Sequence, residues 1–428
     1  MKAWKRRIAG ALAAMLMTGA AYAAQEIQVW HALAPAHKAV FEELVKQFNG
    51  EQKDVVVRLS AAPSLEGMQS GVAQALRDKK PPHMVQLADN HAPETVAKDN
   101  RVLPLYQLLA KYPVKDAKWF LPQTTSFVRD GKSRLLALPL MAEIPVLFYN
   151  RDLYKKAGLD PDAPPATWRD LQAQLIKLQA AGVSCPYATS QMAWIHQENL
   201  AAANNQPFAS RNNGMDAGKA ELLIDDLLHV RHMSMMTTWV RSNLLTQASA
   251  GNESDVAFAK GQCAVLSSGS GAWALLAGGN FSAGVAALPY YSENAKAEGM
   301  PLVGGSSLWV LSGHPDAEQK AVAQFVAWLA KPAVAAKWHQ RTGFLPLTEA
   351  AARAADVSFY QSIPGAQKVV QSMQAAPGQN SRGFRLPNYP AVLAILNEET
   401  TAALKGEKPP MKAQTDAVKR ASAAMAKK

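Results

Sequence analysis

Cysteine is nearly absent from this 428-residue chain, with Cys185 and Cys263 as the whole supply. Two cysteines exclude a small disulfide-knitted scaffold and leave at most one bridge. The sequence is equally compatible with a Cys185–Cys263 bond and with two buried thiols. Long apolar runs are also missing. The one extended run, Ile8 to Met17, is closed by Thr18-Gly19 and falls short of the about 20 residues that a spanning helix needs. No fixed-period repeat occurs, and the Ala-rich segments have a helical bias rather than low complexity. Basic clusters such as Lys155-Lys156 and Lys427-Lys428 lack the interleaved aromatics of a nucleic-acid surface, which argues against such a partner.

What is present starts at the N terminus. Lys2, Lys5, Arg6 and Arg7, then the short apolar run, then Ala21-Tyr22-Ala23, read as a cleaved secretory signal peptide over residues 1–23. Loss of its four cations takes the net charge from +11 to +7. Ala24-Gln25-Glu26 opens the mature chain, with no cysteine at the cleavage point to carry lipid. A soluble product in the periplasm is expected.

Strand and helix signals then alternate. Ile27 to Trp30 is strand-like, and a helix is predicted from Pro35 to Asn49 because Val40, Phe41, Leu44, Val45 and Phe48 recur at helical spacing. Val55 to Leu59 is β-branched, Leu65 to Arg77 is helical up to Pro81-Pro82, and His83 to Leu87 is a strand. This alternation argues for α/β layers with a largely parallel sheet. A second unit opens after Leu138-Pro139 with a strand from Ile144 to Tyr149. Thr167 is placed to cap a helix whose Trp168, Leu171, Leu175 and Leu178 form a buried stripe. Later come a strand at Ala264 to Leu266, a loop of small residues from Ser267 to Gly271, a strand at Ser306 to Leu311, and helices over Ala321 to Leu329 and Ala333 to Gln340.

Catalytic constellations are weak. His229 and His232 stand three apart, a spacing that could seat a metal, but no third ligand has a recognisable spacing and a solvated helix face is expected. Ser268-Gly269-Ser270-Gly271 lacks the G-x-S-x-G frame of a nucleophile elbow and the lysine of a phosphate-binding loop. Aromatics beside strand ends are the better signal. Trp30 and Phe344 suit core and cleft equally, whereas Trp194, amid polar neighbours, points to a cleft.

Val29-Trp30-His31, Pro145 to Asp152, Lys155 to Asp160, Ala193 to Asn199, Asn204 to Gly214, Gly304 to Trp309 and Trp338 to Thr348 together resemble the extracellular solute-binding proteins of ABC importers, the maltose-binding type. Within that family the resemblance is to the branch that binds sn-glycerol 3-phosphate. It implies an α/β fold of two lobes, the type II periplasmic binding architecture, with three hinge crossings around a ligand cleft. The expected lobes are 24–141 plus 304–342, and 142–303 plus 343–428. The expected partners are a small-molecule solute and an inner-membrane permease with its ATPase, reached by a monomer that needs no cofactor, metal or nucleic acid. An enzyme acting on glycerophosphodiesters or glycans, and a surface protein that binds partners without a small-molecule cleft, are the alternatives from other classes.

The resemblance carries ligand contacts onto Leu65, Asp89, Glu143, Gly269, Gly305, Phe344 and Leu393, to which the residue reading adds Trp194. Two phenols and a guanidinium of the branch are replaced here by Leu65, Phe344 and Leu393, which removes donors a phosphate would use. Glu143 would repel a phosphate, by ~4 kcal/mol at about 4 Å and an effective dielectric near 20. An alternative phosphate site would use Ser267, Ser268 or Ser270, the amides around Gly305, and Arg385. An acidic, aromatic pocket instead suits a zwitterionic glycerophosphodiester or a polyol.

Overall fold

The computed structural model describes residues 24–89, 101–115, 117–123, 125, 127–277, 279–293 and 299–426, so the expected signal peptide and the terminal lysine pair lie outside the described residues. Two five-stranded sheets organise the chain, in the orders β2-β1-β3-β10-β4 and β7-β6-β8-β5-β9. The strands are β1 (Gln25–His31), β2 (Val55–Ala61), β3 (Met84–Ala88), β4 (Leu138–Glu143), β5 (Pro145–Asn150), β6 (Tyr187–Thr189), β7 (Leu245–Ala248), β8 (Val265–Gly269), β9 (Ala283–Ala287) and β10 (Gly304–Val310). Helices of more than ten residues are α1 (Pro35–Glu51), α2 (Leu65–Arg77), α3 (Trp168–Ala180), α4 (Leu227–Arg241), α5 (Asp316–Leu329), α6 (Pro332–Thr342), α7 (Tyr389–Leu404) and α8 (Pro410–Met425).

Each sheet is mixed rather than largely parallel. In the first, β1 runs parallel to β2 and β3, and β10 is antiparallel to both β3 and β4. In the second, β6 is parallel to β7 and β8, and β5 is antiparallel to β8 and β9. The reason is the chain path. It leaves the first sheet at Glu143, enters the second at Pro145 two residues later, and returns through β10, so strands next to the transit cannot arise from right-handed β-α-β crossovers.

Helical stripes cover the sheets as their spacing predicts. Val40, Phe41, Leu44, Val45 and Phe48 of α1 are all buried against the first sheet's core, each worth about 1.5–3 kcal/mol of apolar transfer. α3 starts on a capping box: Asp170 N donates to Thr167 Oγ1 at 3.1 Å and Thr167 N donates to Asp170 Oδ2 at 3.2 Å. Its Trp168, Leu171, Leu175 and Leu178 are buried beneath the second sheet. Cys185 and Cys263, each two residues ahead of the paired strands β6 and β8, form a disulfide with Cα atoms 4.5 Å apart.

Two local expectations are corrected. The small residues Ser267 to Gly269 complete β8 rather than forming a loop, and a 3₁₀ turn at Ser270–Ala272 follows. His229 and His232 do not lie on a solvated face, for both are fully buried. Their side of α4 packs onto a π-helical turn at Trp194–Glu198: His229 Nε2 donates to Gln197 O at 3.2 Å, and His232 shares hydrogen bonds with His196 Nδ1 and the Tyr291 hydroxyl. Burial holds His196 and His232 well below the usual imidazole pKa, His196 at about 3, so both are neutral structural groups.

Candidate ligand cavity

A cavity of about 680 Å³ opens between the two sheets. The first sheet's side supplies the start of α1 through His37, Leu65 at the head of α2, Gln86 of β3, Glu143 of β4 and Gly304 to Ser306 of β10. The second supplies Gln191, Trp194, Asn252, Asp255, Ser268 and Gly271, with Phe344, Leu393 and Asn397 from the C-terminal third. The ends of the strands therefore meet a turn-rich rim, where α/β clefts take ligands.

Glu143 lies among three glycines of the wall. Gly271 N donates to its Oε2 at 3.1 Å, and a Cβ at Gly269 would stand only 2.2 Å from that oxygen. Gly271 is held from the other side as well, because His37 Nε2 donates to its carbonyl at 2.9 Å. At Gly305 the backbone takes φ +96°, and a Cβ there would meet Met141 O at 2.2 Å, so glycine is required on two counts. The absence of side chains at 269, 271 and 305 makes the space in which the Glu143 carboxyl lies.

Three carboxyls gather at this point. Burial raises Glu143 to about 7, the Gly271 amide opposes this, and the Asp255 charge adds to it. Asp89, just past β3, is likewise raised to about 7 by burial, against the Ser307 hydroxyl and with help from Glu143. Asp255 is raised to about 6 by burial, while the Ser190 and Ser268 hydroxyls pull it down. Ser190 Oγ donates to Asp255 Oδ1 at 2.6 Å. Among the described residues that line the cavity there is no lysine or arginine. Buried Asn397 Oδ1 in the wall and Asp89 Oδ1 behind it have no hydrogen-bond partner among the described residues.

Of the residues expected from the sequence, Leu65, Glu143, Trp194, Gly305, Phe344 and Leu393 line the cavity. Gly269 and Asp89 back it through Glu143. Ser270 does not line this cavity: its amide donates to Ile144 O at 2.8 Å, and it borders a separate small pocket with Trp273 and Phe359. Arg385 stands elsewhere: its amide donates to Asn213 O at 2.9 Å and its Nη2 to Arg129 O at 3.1 Å. It is fixed beside the left-handed turn at Arg211 to Gly214, whose Gly214 approaches the Arg385 carbonyl too closely for any side chain. Trp30 packs with Val85 and Trp309 in the core and does not line the cavity. Phe344 serves both roles, lining the cavity and stacking on Trp338 at 5.7 Å.

The sequence reading missed His37, Gln86, Gln191 and Asp255. Gln86 bridges the wall, accepting from Ala32 N at 2.8 Å and donating to Ser306 Oγ at 2.7 Å. The one signal for Asp255 was the acidic helix start Glu253-Ser254-Asp255, directly ahead of Phe258 and the next strand.

The model of the bacterial extracellular solute-binding protein family matches residues 34–336. The chain belongs to that family. Among curated relatives it is 34% identical over 406 residues to the sn-glycerol-3-phosphate-binding periplasmic protein UgpB of Yersinia pseudotuberculosis, covering 94% of this chain and 92% of that one. It is 34% identical over 411 residues to UgpB of Rhizobium meliloti, covering 95% of each. Solved structures with the same fold include UgpB from Mycobacterium tuberculosis in complex with glycerophosphocholine, at TM-score 0.75 and 20% identity over 94% of this chain and 98% of that one. The cyclic α-maltosyl-1,6-maltose binding protein of Arthrobacter globiformis matches at TM-score 0.71 and 23% identity, over 94% and 99%. The fold of this solute-binding protein is the two-lobed type II architecture.

Proposed function

We propose that this protein is the periplasmic capture component of an ABC importer and that its solute is a glycerophosphodiester with a cationic headgroup, glycerophosphocholine or glycerophosphoethanolamine in type. The relatives of similar length that bind sn-glycerol 3-phosphate support the glycerophosphate part. The observation that carries the headgroup is the cavity wall itself: Glu143 and Asp255 face it beside Trp194, and no described lysine or arginine does. An ammonium group pairs with the carboxylates and lies against the indole face. A bare phosphomonoester carries two negative charges into the same wall, at a cost of ~4 kcal/mol per close pair.

The lobes close on the solute, because contacts from both sides are complete only in the closed form. We take Ala24 to Glu143 with Gly304 to Glu349 as one lobe, and the remainder as the other, which moves the first crossing from the expected Met141 to Ile144. Leu345 N donates to Ala142 O and Glu349 N to Lys118 O, while Val285 N donates to Pro364 O, so in this reading the third crossing falls between Glu349 and Pro364 rather than at Gly343. The permease reads the closed form. Export follows from the signal peptide, with cleavage after Ala23.

A second reading, a sugar or other polyol, draws on the amides of Gln86, Gln191, Asn252 and Asn397 around Trp194, a set suited to hydroxyls. Calorimetric titration of mature protein with glycerophosphocholine, sn-glycerol 3-phosphate and maltose separates the two. One-site binding of the diester supports the first reading; a response to maltose alone replaces it with the second.

A further inference from the structure

The π-helical turn Trp194–Glu198 departs from ordinary helical geometry directly beside the cavity, a place where such turns accompany function. Its wide ring leaves carbonyls to satisfy, and Asn199 satisfies the first. The Asn199 amide N–H and its side-chain Nδ2 both donate to Trp194 O, the latter at 3.0 Å. The same side chain turns its oxygen the other way, and Leu302 N donates to Asn199 Oδ1 at 2.7 Å. Leu302 stands two residues before Gly304, where the chain passes into β10. The Trp194 ring lies against that glycine: a Cβ at Gly304 would stand 2.7 Å from Cζ2 and 3.0 Å from Nε1 of the indole.

We infer that Asn199 is a positioning residue for solute recognition, tying Trp194 to the Leu302–Gly304 crossing so that the indole follows the hinge strand. Two independent contacts converge on this link. Asn199 holds the backbone of Trp194 to the crossing, and Gly304 seats its ring on the same strand. Only an amide side chain of this length offers one donor and one acceptor in opposite directions. Aspartate would set an oxygen against Trp194 O, and alanine would leave Leu302 N without this partner and Trp194 O with the Asn199 main-chain amide alone, in a fully buried place. A change at the crossing therefore moves the aromatic wall with it. The inference rests on the reading of this cavity as the solute site.

The test isolates Trp194 by difference between the native protein and Trp194→Phe. In ligand-free protein, Asn199→Ala raises acrylamide quenching of the Trp194 component at least about two-fold, and Gly304→Ala does the same from the ring side. With glycerophosphocholine as the probe, Asn199→Ala weakens binding about ten-fold in the native background and less than about two-fold in the Trp194→Phe background. Unchanged quenching in a folded Asn199→Ala protein overturns the inference, as does an equal loss of binding in both backgrounds. If the alanine variant does not fold, Asn199→Ser, too short to span both partners, carries the same measurements. Failure of native protein to bind any glycerophospho compound would instead remove the solute reading, and the quenching comparison would still decide the link.

Discussion

Gly271 N and Glu143 Oε2 meet at 3.1 Å across the junction of the two sheets, and His37 holds the carbonyl of the same glycine. A carboxyl at the end of the first sheet is thus fastened to the turn that follows β8 of the second, in a space cleared by Gly269, Gly271 and Gly305. Neutralising it should change ligand choice more than stability. Glu143→Gln keeps an acceptor for Gly271 N, and we expect about ten-fold weaker glycerophosphocholine binding with stronger sn-glycerol 3-phosphate binding, the change expected when one close charge pair is lost or relieved. Titrations of both ligands against the variant check this, and unaltered preference places the Glu143 charge outside recognition.

The buried carboxyls also set a pH dependence. Asp89 and Glu143 are raised to about 7, Asp255 to about 6 and Glu198 to about 8, each chiefly by burial. A raised carboxyl binds its proton more tightly in the folded state, so its stabilising effect is complete below the unfolded pKa near 4 and is lost as pH rises through the folded value. Buried His196, at about 3, and His339, at about 4, act in the other sense: their contribution is complete above about 6.5 and is lost as pH falls toward those values. The two sets oppose each other below about pH 6.5 and only the carboxyls act above it. Thermal melts of ligand-free protein should therefore show a falling midpoint from about pH 6.5 to about pH 8, and Glu143→Gln should flatten part of that fall.

The Cys185–Cys263 bond spans 78 residues. Chain-entropy reasoning assigns such a loop about 4.5 kcal/mol of stability. Paired substitution to serine should lower the thermal midpoint while leaving the cavity's ligand preference unchanged, because neither cysteine lines it. Intact mass under non-reducing conditions should show no free thiol in exported protein.

Much of this fold was legible because burial imposes a period on sequence. The stripe from Val40 to Phe48, the Thr167 cap and the helix bounded by Leu65 and Arg77 each follow from local spacing, and each is present. The burial of His229 and His232 was not legible. Their partners Gln197, His196 and Tyr291 are distant in the chain or sit on a π turn that no pattern announces. The cavity was partly legible, Glu143 and Phe344 through the family resemblance and Trp194 as an aromatic amid polar neighbours. Arg385 was chosen as a nearby cation in sequence, yet Gly214 and Arg129 hold it away from the cavity wall. Asp255 and His37 are not legible because the cavity they share with Glu143 is created by the meeting of two sheets.

The most direct test of the central claim is calorimetric titration of the mature protein with glycerophosphocholine and with sn-glycerol 3-phosphate, at about pH 6 and about pH 8. The buried Glu143 carboxyl ionises across this interval, so a cationic headgroup should gain affinity as it does. The expected result is one-site binding of the diester, tighter at the higher pH and accompanied by proton release at the lower, with the monoester weaker at both. Tighter binding of sn-glycerol 3-phosphate than of glycerophosphocholine at both values would contradict the account.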